Sequence, residues 1–208
     1  MRSTLVTDGS SDKVLLSILG WLLGQRTIVP FELQWAEMRK LPEPPRNLQE
    51  RLQVAVTLYP CELLFVHRDA EGASRAHRVD EIRAALRSVS EAPPAVCVIP
   101  VRMQEAWLLF DEAALRSAAG CPNGKMALDL PALDRVEQLS RPKDRLHTLL
   151  RQASGMQGRR AKQFRPGVHV HRLSELIDDF SPLRRLPAFQ ALEAELDAIL
   201  AQLLGDTQ

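Results

Sequence analysis

Asp69 and Glu71 stand two residues apart where an apolar run, 63–66, gives way to a loop through Gly72. In extended backbone, residues at i and i+2 point the same way, so both carboxylates can face one cation. The pattern occurs twice more. Residues 5–7 run into Asp8-Gly9-Ser10-Ser11-Asp12, and the run 95–101 leads into Arg102-Met103-Gln104-Glu105-Ala106-Trp107. Carboxylates crowded within a few ångströms raise one another's pKa, and Mg2+ or Mn2+ relieves that repulsion by taking hard oxygen ligands. The chemistry that needs such a cluster is phosphoryl transfer, in which bound ions hold the phosphate, activate a water and stabilise the leaving oxygen.

For these acids to meet, the three strands must lie side by side. In an open parallel sheet the carboxyl ends share one edge, and ligands bind in the crevice there. The chain carries the required alternation. A strand at 4–7 precedes a helix with Val14, Leu15, Ile18, Leu19 and Leu22 at helical spacing, Gly9 making the turn and Ser10 or Ser11 the cap. A second strand, 27–35, contains Pro30 and belongs at an edge. A helix marked by Leu48, Leu52, Ala55, Val56 and Tyr59 leads into the strand at 63–66, and an amphipathic helix over 74–89 follows it. Residues 95–99 are almost entirely apolar, as in a strand covered on both faces. This order predicts an α/β fold, a parallel sheet with right-handed crossovers and helices on both sides. Beyond Glu105 the pattern is helical, over 107–116, 142–153 and the end of 182–204, with a loop at 120–124. We divide the chain into an α/β core, 1–118, and a basic loop with a helical extension packed on it, 119–208.

Bulk properties narrow the class. A 208-residue chain with 45% hydrophobic and 25% charged residues has enough apolar surface for a substantial core. Its three cysteines, Cys61, Cys97 and Cys121, are widely spaced and read as reduced small hydrophobes. No apolar run approaches the ~20 residues that span a bilayer, and the N-terminus enters a strand without a signal-like region, so a cytoplasmic protein is expected.

The net charge of +1 hides an asymmetry. Between 141 and 172, Arg141, Lys143, Arg159, Arg160, Lys162 and Arg165 belong to a dense basic stretch in which Asp144 is the one acid. That is the electrostatic footprint of a phosphate-backbone partner, DNA or RNA. Residues 155–165, with glycines and few apolar side chains, read as a mobile loop able to close over a bound strand. Ordinary pairing of these cations with Glu175, Asp178, Asp179, Glu193, Glu195 and Asp197 is the competing explanation. The acids have a competitor too: Asp12 lies where a carboxylate caps a helix, and His67 is as compatible with a core position as with the supporting shell of a metal. Trp21 and Trp107 fall in apolar helical patterns and belong to the core.

The residues 5–12, an apolar strand followed by Asp8-Gly9-Ser10-Ser11-Asp12, resemble the first signature of the TOPRIM domain, Glu-Gly-x-x-Asp after a strand. Residues 65–71 resemble its Asp-x-Asp strand end, and 99–109 is similar to small stand-alone relatives of the OLD-family nucleases, often encoded beside an ATPase. The resemblance covers roughly the first half of the chain. It departs from the family at Asp8, where the family has Glu, and at Glu71, where it has Asp. It implies a Mg2+- or Mn2+-dependent nuclease or related phosphoryl-transfer enzyme in bacterial defence or DNA repair, with DNA or RNA as substrate and a partner ATPase. It implies Asp8 as metal ligand and general base, Asp12, Asp69 and Glu71 as further ligands, Glu105 completing the shell, and Lys143 as the catalytic cation. A non-catalytic module binding nucleic acid or an ATPase is the alternative. A haloacid-dehalogenase-type phosphatase fits less well, because 69–73 lacks the second Asp and the Thr of that motif.

Overall fold

The computed structural model describes residues 1–205. Four parallel strands, β1 (Arg2–Val6), β2 (Glu32–Trp35), β3 (Leu63–His67) and β4 (Ala95–Val98), form one sheet in the order β2-β1-β3-β4. Leu5 pairs with Phe65 and Val66 with Cys97, so β1, β3 and β4 are consecutive and their carboxyl ends adjoin. The chain is α/β, as its alternation predicts.

Strand residues alternate between two cores because successive side chains point to opposite faces. Leu5, Leu63, Phe65, Val96 and Val98 pack with α1 (Leu15–Gly24) and with apolar residues from the second half of the chain. Val6, Leu64, Val66, Ala95 and Cys97 face α2 (Leu48–Leu58) and α3 (Arg75–Arg87). Both faces of β3 and β4 are therefore covered, which is why those strands are continuously apolar. From β1 the chain passes outward to β2 through α1, then returns across β1 to β3 through α2. This reversal, between β1 and β3, opens the crevice at their carboxyl ends.

The second half supplies α4 (Glu112–Ala118), α5 (Pro142–Ala153), α6 (Gly158–Gln163), α7 (Gly167–Leu176) and α8 (Pro187–Gly205). One core runs through both halves, from Leu5 through Trp107 and Leu149 to Phe189 and Leu200. Trp107 is fully buried and meets Phe189 edge to face at 5.4 Å, joining the strand-end segment to α8. Trp21 packs edge-on against Phe180 at 6.0 Å. The extension is thus integral to the core, and its last three residues lie outside the described ones.

Several boundaries differ from expectation. β2 covers only Glu32–Trp35, since Pro30 has no N–H to extend the ladder. The segment 107–116 is not one helix: a 3-10 turn at Gln104–Leu108 precedes α4, whose start is fixed by Asp111 accepting the Ala114 N–H at 2.9 Å. Residues 158–163 of the expected mobile loop form α6, a short helix with no buried residue. Gly9 is not needed for a left-handed turn; a Cβ there would stand 3.6 Å from Asp12 Oδ2, an ordinary contact.

Trp107→Ala is expected to cost about 3–5 kcal/mol, read from the urea midpoint, because it empties the contact between the two halves. The wild-type chain should unfold in one transition by fluorescence and circular dichroism alike; separate transitions would contradict a shared core.

Candidate active site at the carboxyl edge of the sheet

Beyond β1 the chain turns through Asp8 and Gly9 into a 3-10 turn, Ser11–Val14, that carries Asp12 inward. Asp12 is 6% exposed. Its Oδ2 accepts the Gly9 N–H at 2.9 Å, and its Oδ1 accepts from Ser11 Oγ and Gln104 Nε2, both at 2.9 Å. Asp12 stands inside the turn rather than at its cap, where Ser10 makes no side-chain bond; through Gly9 it holds the chain leaving β1, and it lines the cleft.

His67 closes β3, buried, with Nδ1 3.0 Å from the Val98 carbonyl oxygen. Its Nε2 lies 3.4 Å from Asp69 Oδ1 and 4.0 Å from Asp12 Oδ2. Asp69 also accepts the Gln104 backbone N–H at 3.2 Å. Gln104 therefore binds Asp12 with its side chain and Asp69 with its backbone. Beyond β3 and β4 the pairing continues irregularly: Ala70 donates to Pro100 O and Glu71 to Arg102 O, at 3.3 and 3.2 Å. Glu71 and Arg102 both take left-handed backbone (φ 53° and 62°) without being glycine, a conformation costing on the order of 1 kcal/mol or more each.

Glu105 is 2% exposed, and its Oε2 has no hydrogen-bond partner among the described residues. Its Oε1 is 3.7 Å from Lys143 Nζ, delivered by the first turn of α5. Lys143, placed at the site by family resemblance alone, thus reaches the acidic centre from the far half of the chain.

Asp8 and Glu71 lie at the rim. Asp8 is paired with both Arg51 of α2 and Arg68. Glu71 is largely exposed, 3.5 Å from Arg78 of α3. Arg68 and Arg78 are in turn tied to Glu81 at 2.9 and 2.8 Å. Asp8, Asp12, His67, Asp69, Glu71, Arg68 and Arg78 line a cleft of about 260 Å³. A second cavity of about 300 Å³ opens on the other side of Ser11, lined by Glu105, Lys143, His147 and His171.

Burial and the neighbouring Asp12 and Glu105 charges push Asp69 up to about 8, against a weaker opposing pull from the Gln104 N–H. Burial likewise raises Glu105, partly offset by Lys143, and holds His67 below its ordinary value despite the nearby acids. The centre is short of positive charge. Among the described residues no group of three or more histidine, cysteine or acidic side chains is placed so that it could hold a metal ion.

No family model, curated protein or solved structure matches the chain. Among the described residues no helix is long and apolar enough to cross a membrane.

Among the described residues the acids of the C-terminal helices pair with groups other than the cations of the basic arm. Glu193 pairs with Arg26 and Arg184, Asp197 with Arg26, and Glu195 with Arg75 and Arg83. Glu175 holds His171. Arg159, Arg160, Lys162 and Arg165 are exposed on and just after α6, while Arg141 meets Asp144 at 3.9 Å. The contributions of Gln104, Arg51, Arg68 and Arg78 carry no signal in the sequence. A glutamine just past a strand, an arginine at a strand end and arginines on amphipathic helices look like ordinary solvated surface.

Between pH 6.5 and about 8 the unfolded chain has already released the Asp69 proton that the folded chain retains. Metal-free protein should therefore lose stability as pH rises through that window. Below 6.5, His67 works in the opposite direction, since the unfolded chain takes up the proton that the buried ring refuses. Thermal midpoints between pH 6.5 and 8 should fall for the wild type and fall less for Asp69→Asn; parallel curves would show that Asp69 ionises normally.

Proposed function

We propose that the chain is a metal-dependent phosphoryl-transfer enzyme acting on nucleic-acid phosphodiesters, a nuclease of TOPRIM-like type. The observation that carries this reading is the set of acids at the carboxyl edge of the sheet: buried Asp12 and half-buried Asp69 line the cleft, and buried Glu105, in the adjoining cavity, is near enough for its charge to help raise Asp69 to about 8. Perturbed carboxylates in a cleft are candidate functional groups because a catalyst, unlike a scaffold, has use for an unmet charge. The orphaned Oε2 of Glu105 and the unprotonated edge of His67 fit a divalent cation, Mg2+ or Mn2+.

Asp12, Asp69 and Glu105 would hold the ion, with Asp8 and Glu71 at the cleft mouth. When bound, it supplies Lewis acidity toward a phosphoryl oxygen and lowers the pKa of a bound water. The protein's own groups do the rest. Gln104 fixes the orientation of Asp12 and Asp69, so that the carboxylates are set before substrate arrives. Lys143, half exposed, can leave Glu105 for a phosphate and meet the negative charge that grows on its oxygens. Arg68 and Arg78 border the same cleft and would attract the flanking backbone. The exposed cations on and just after α6 are available to a phosphate backbone. Cooperation with an ATPase, in defence or repair, belongs to this reading through the family resemblance.

One observation favours a second reading, a non-catalytic nucleic-acid-binding module. Asp8, the resemblance's general base, is occupied by two arginines, and Glu71 by a third. An acid so held is a poor base.

Cleavage of single- and double-stranded DNA and RNA, assayed with Mg2+ or Mn2+, should fall about 10²–10³-fold in Asp69→Ala and Glu105→Ala and about 10²-fold in Lys143→Ala. Binding without cleavage under either metal would support the module instead. Replacing Arg159, Arg160, Lys162 and Arg165 together by Ala should weaken binding of every sequence and make the slope of log K against log salt shallower by about 3–4.

A further inference from the structure

We infer that His67 is itself a metal ligand through Nε2, and that the centre prefers Mn2+ to Mg2+. The inference rests on the metal-dependent reading above and names a ligand that the acidic motifs do not contain.

The tautomer is fixed by the backbone. A carbonyl oxygen only accepts, so the Nδ1 that stands 3.0 Å from Val98 O carries the proton. In the neutral ring Nε2 is then a bare lone pair, directed at Asp69 Oδ1 (3.4 Å) and Asp12 Oδ2 (4.0 Å). Three acceptors face one another: Asp12 Oδ2 and Asp69 Oδ1 each take one backbone N–H, from Gly9 and Gln104, and none of the three donates to another. A proton on Asp69 serves this space poorly, because 3.4 Å exceeds the ~2.5–3.0 Å of a hydroxyl hydrogen bond. A cation serves it better. Two donors each ~2.0–2.2 Å from one ion, at angles near 90–110°, stand roughly 3.0–3.6 Å apart. The His67–Asp69 separation falls in that range; Asp12 has to turn toward Nε2 to join them.

An imidazole whose other nitrogen donates to a backbone carbonyl is the usual arrangement of a metal-bound histidine. Its position in the fold is specific: His67 is the last residue of β3, 2% exposed, at the strand reversal where the crevice opens. An all-oxygen set suits Mg2+, whereas a nitrogen donor among carboxylates shifts preference toward first-row transition ions.

The test is pulsed electron paramagnetic resonance of the full chain loaded with Mn2+ alone. The expected spectrum shows modulation from a directly bound ¹⁴N, retained in a His147→Phe/His171→Phe double variant and lost in His67→Asn. Asparagine keeps an amide donor near the Nδ1 position while removing Nε2. Mn2+ affinity should fall tenfold or more in His67→Asn, and the wild-type preference for Mn2+ over Mg2+ should narrow. Bound Mn2+ without nitrogen modulation in the wild type overturns the assignment and leaves a carboxylate metal site standing, a result that needs no variant to fold. Modulation that persists in His67→Asn overturns it equally. Failure of the wild type to bind Mn2+ at all overturns both this inference and the metal-dependent reading.

Discussion

Gln104 spans the gap between the acids of two strands, its backbone N–H on Asp69 and its side-chain amide on Asp12. The site's geometry depends on this one residue, because it converts two loops that leave the sheet separately into a single wall of the crevice. Two neutral donors can orient two carboxylates without cancelling their charge. The acids are therefore positioned and still electrically unsatisfied, which is the condition a cation-dependent centre requires.

The sheet makes that arrangement possible by burying what would otherwise be solvated. Both faces of β3 and β4 are covered, so the strand ends sit at the mouth of a packed interior, and Asp69 and Glu105 inherit its low polarity. The second half of the chain completes the enclosure. Trp107, directly after the Glu105 segment, is wedged against Phe189 of α8, and α5 delivers Lys143 to Glu105. The same packing that stabilises the extension thus sets the cation's reach. Around the rim the logic is inverted: Arg51, Arg68 and Arg78 meet Asp8 and Glu71, leaving the inner acids as the unbalanced ones.

How much of this was legible in the sequence follows from which interactions are local. Strand–helix alternation and the apolar runs are local, and they gave the α/β sheet and the adjacency of three acidic strand ends. Asp12, Asp69 and Glu105 could be picked out because each follows a strand. The lock on His67 was not legible, since its partner is the carbonyl of Val98, thirty-one residues on, and depends on β3 lying beside β4. Nor was the capture of Asp8 by Arg51 and Arg68, because it depends on α2 and the end of β3 being brought beside the end of β1. The break at Asp111 was local but outweighed by the apolar pattern around it. For α6, the glycines and cations suggested an irregular loop, although only Gly158 among its residues takes left-handed backbone.

The central claim is that Asp12, Asp69 and His67 share one cation at the β1/β3 crevice. Anomalous diffraction at the manganese edge from crystals of this chain soaked in Mn2+ tests it most directly. A peak is expected between Asp12, His67 Nε2 and Asp69, with Gln104 still joined to at least one of the two carboxylates. No peak there, with the crevice accessible in the lattice and ions bound only at outer acids such as Glu71, would contradict the account.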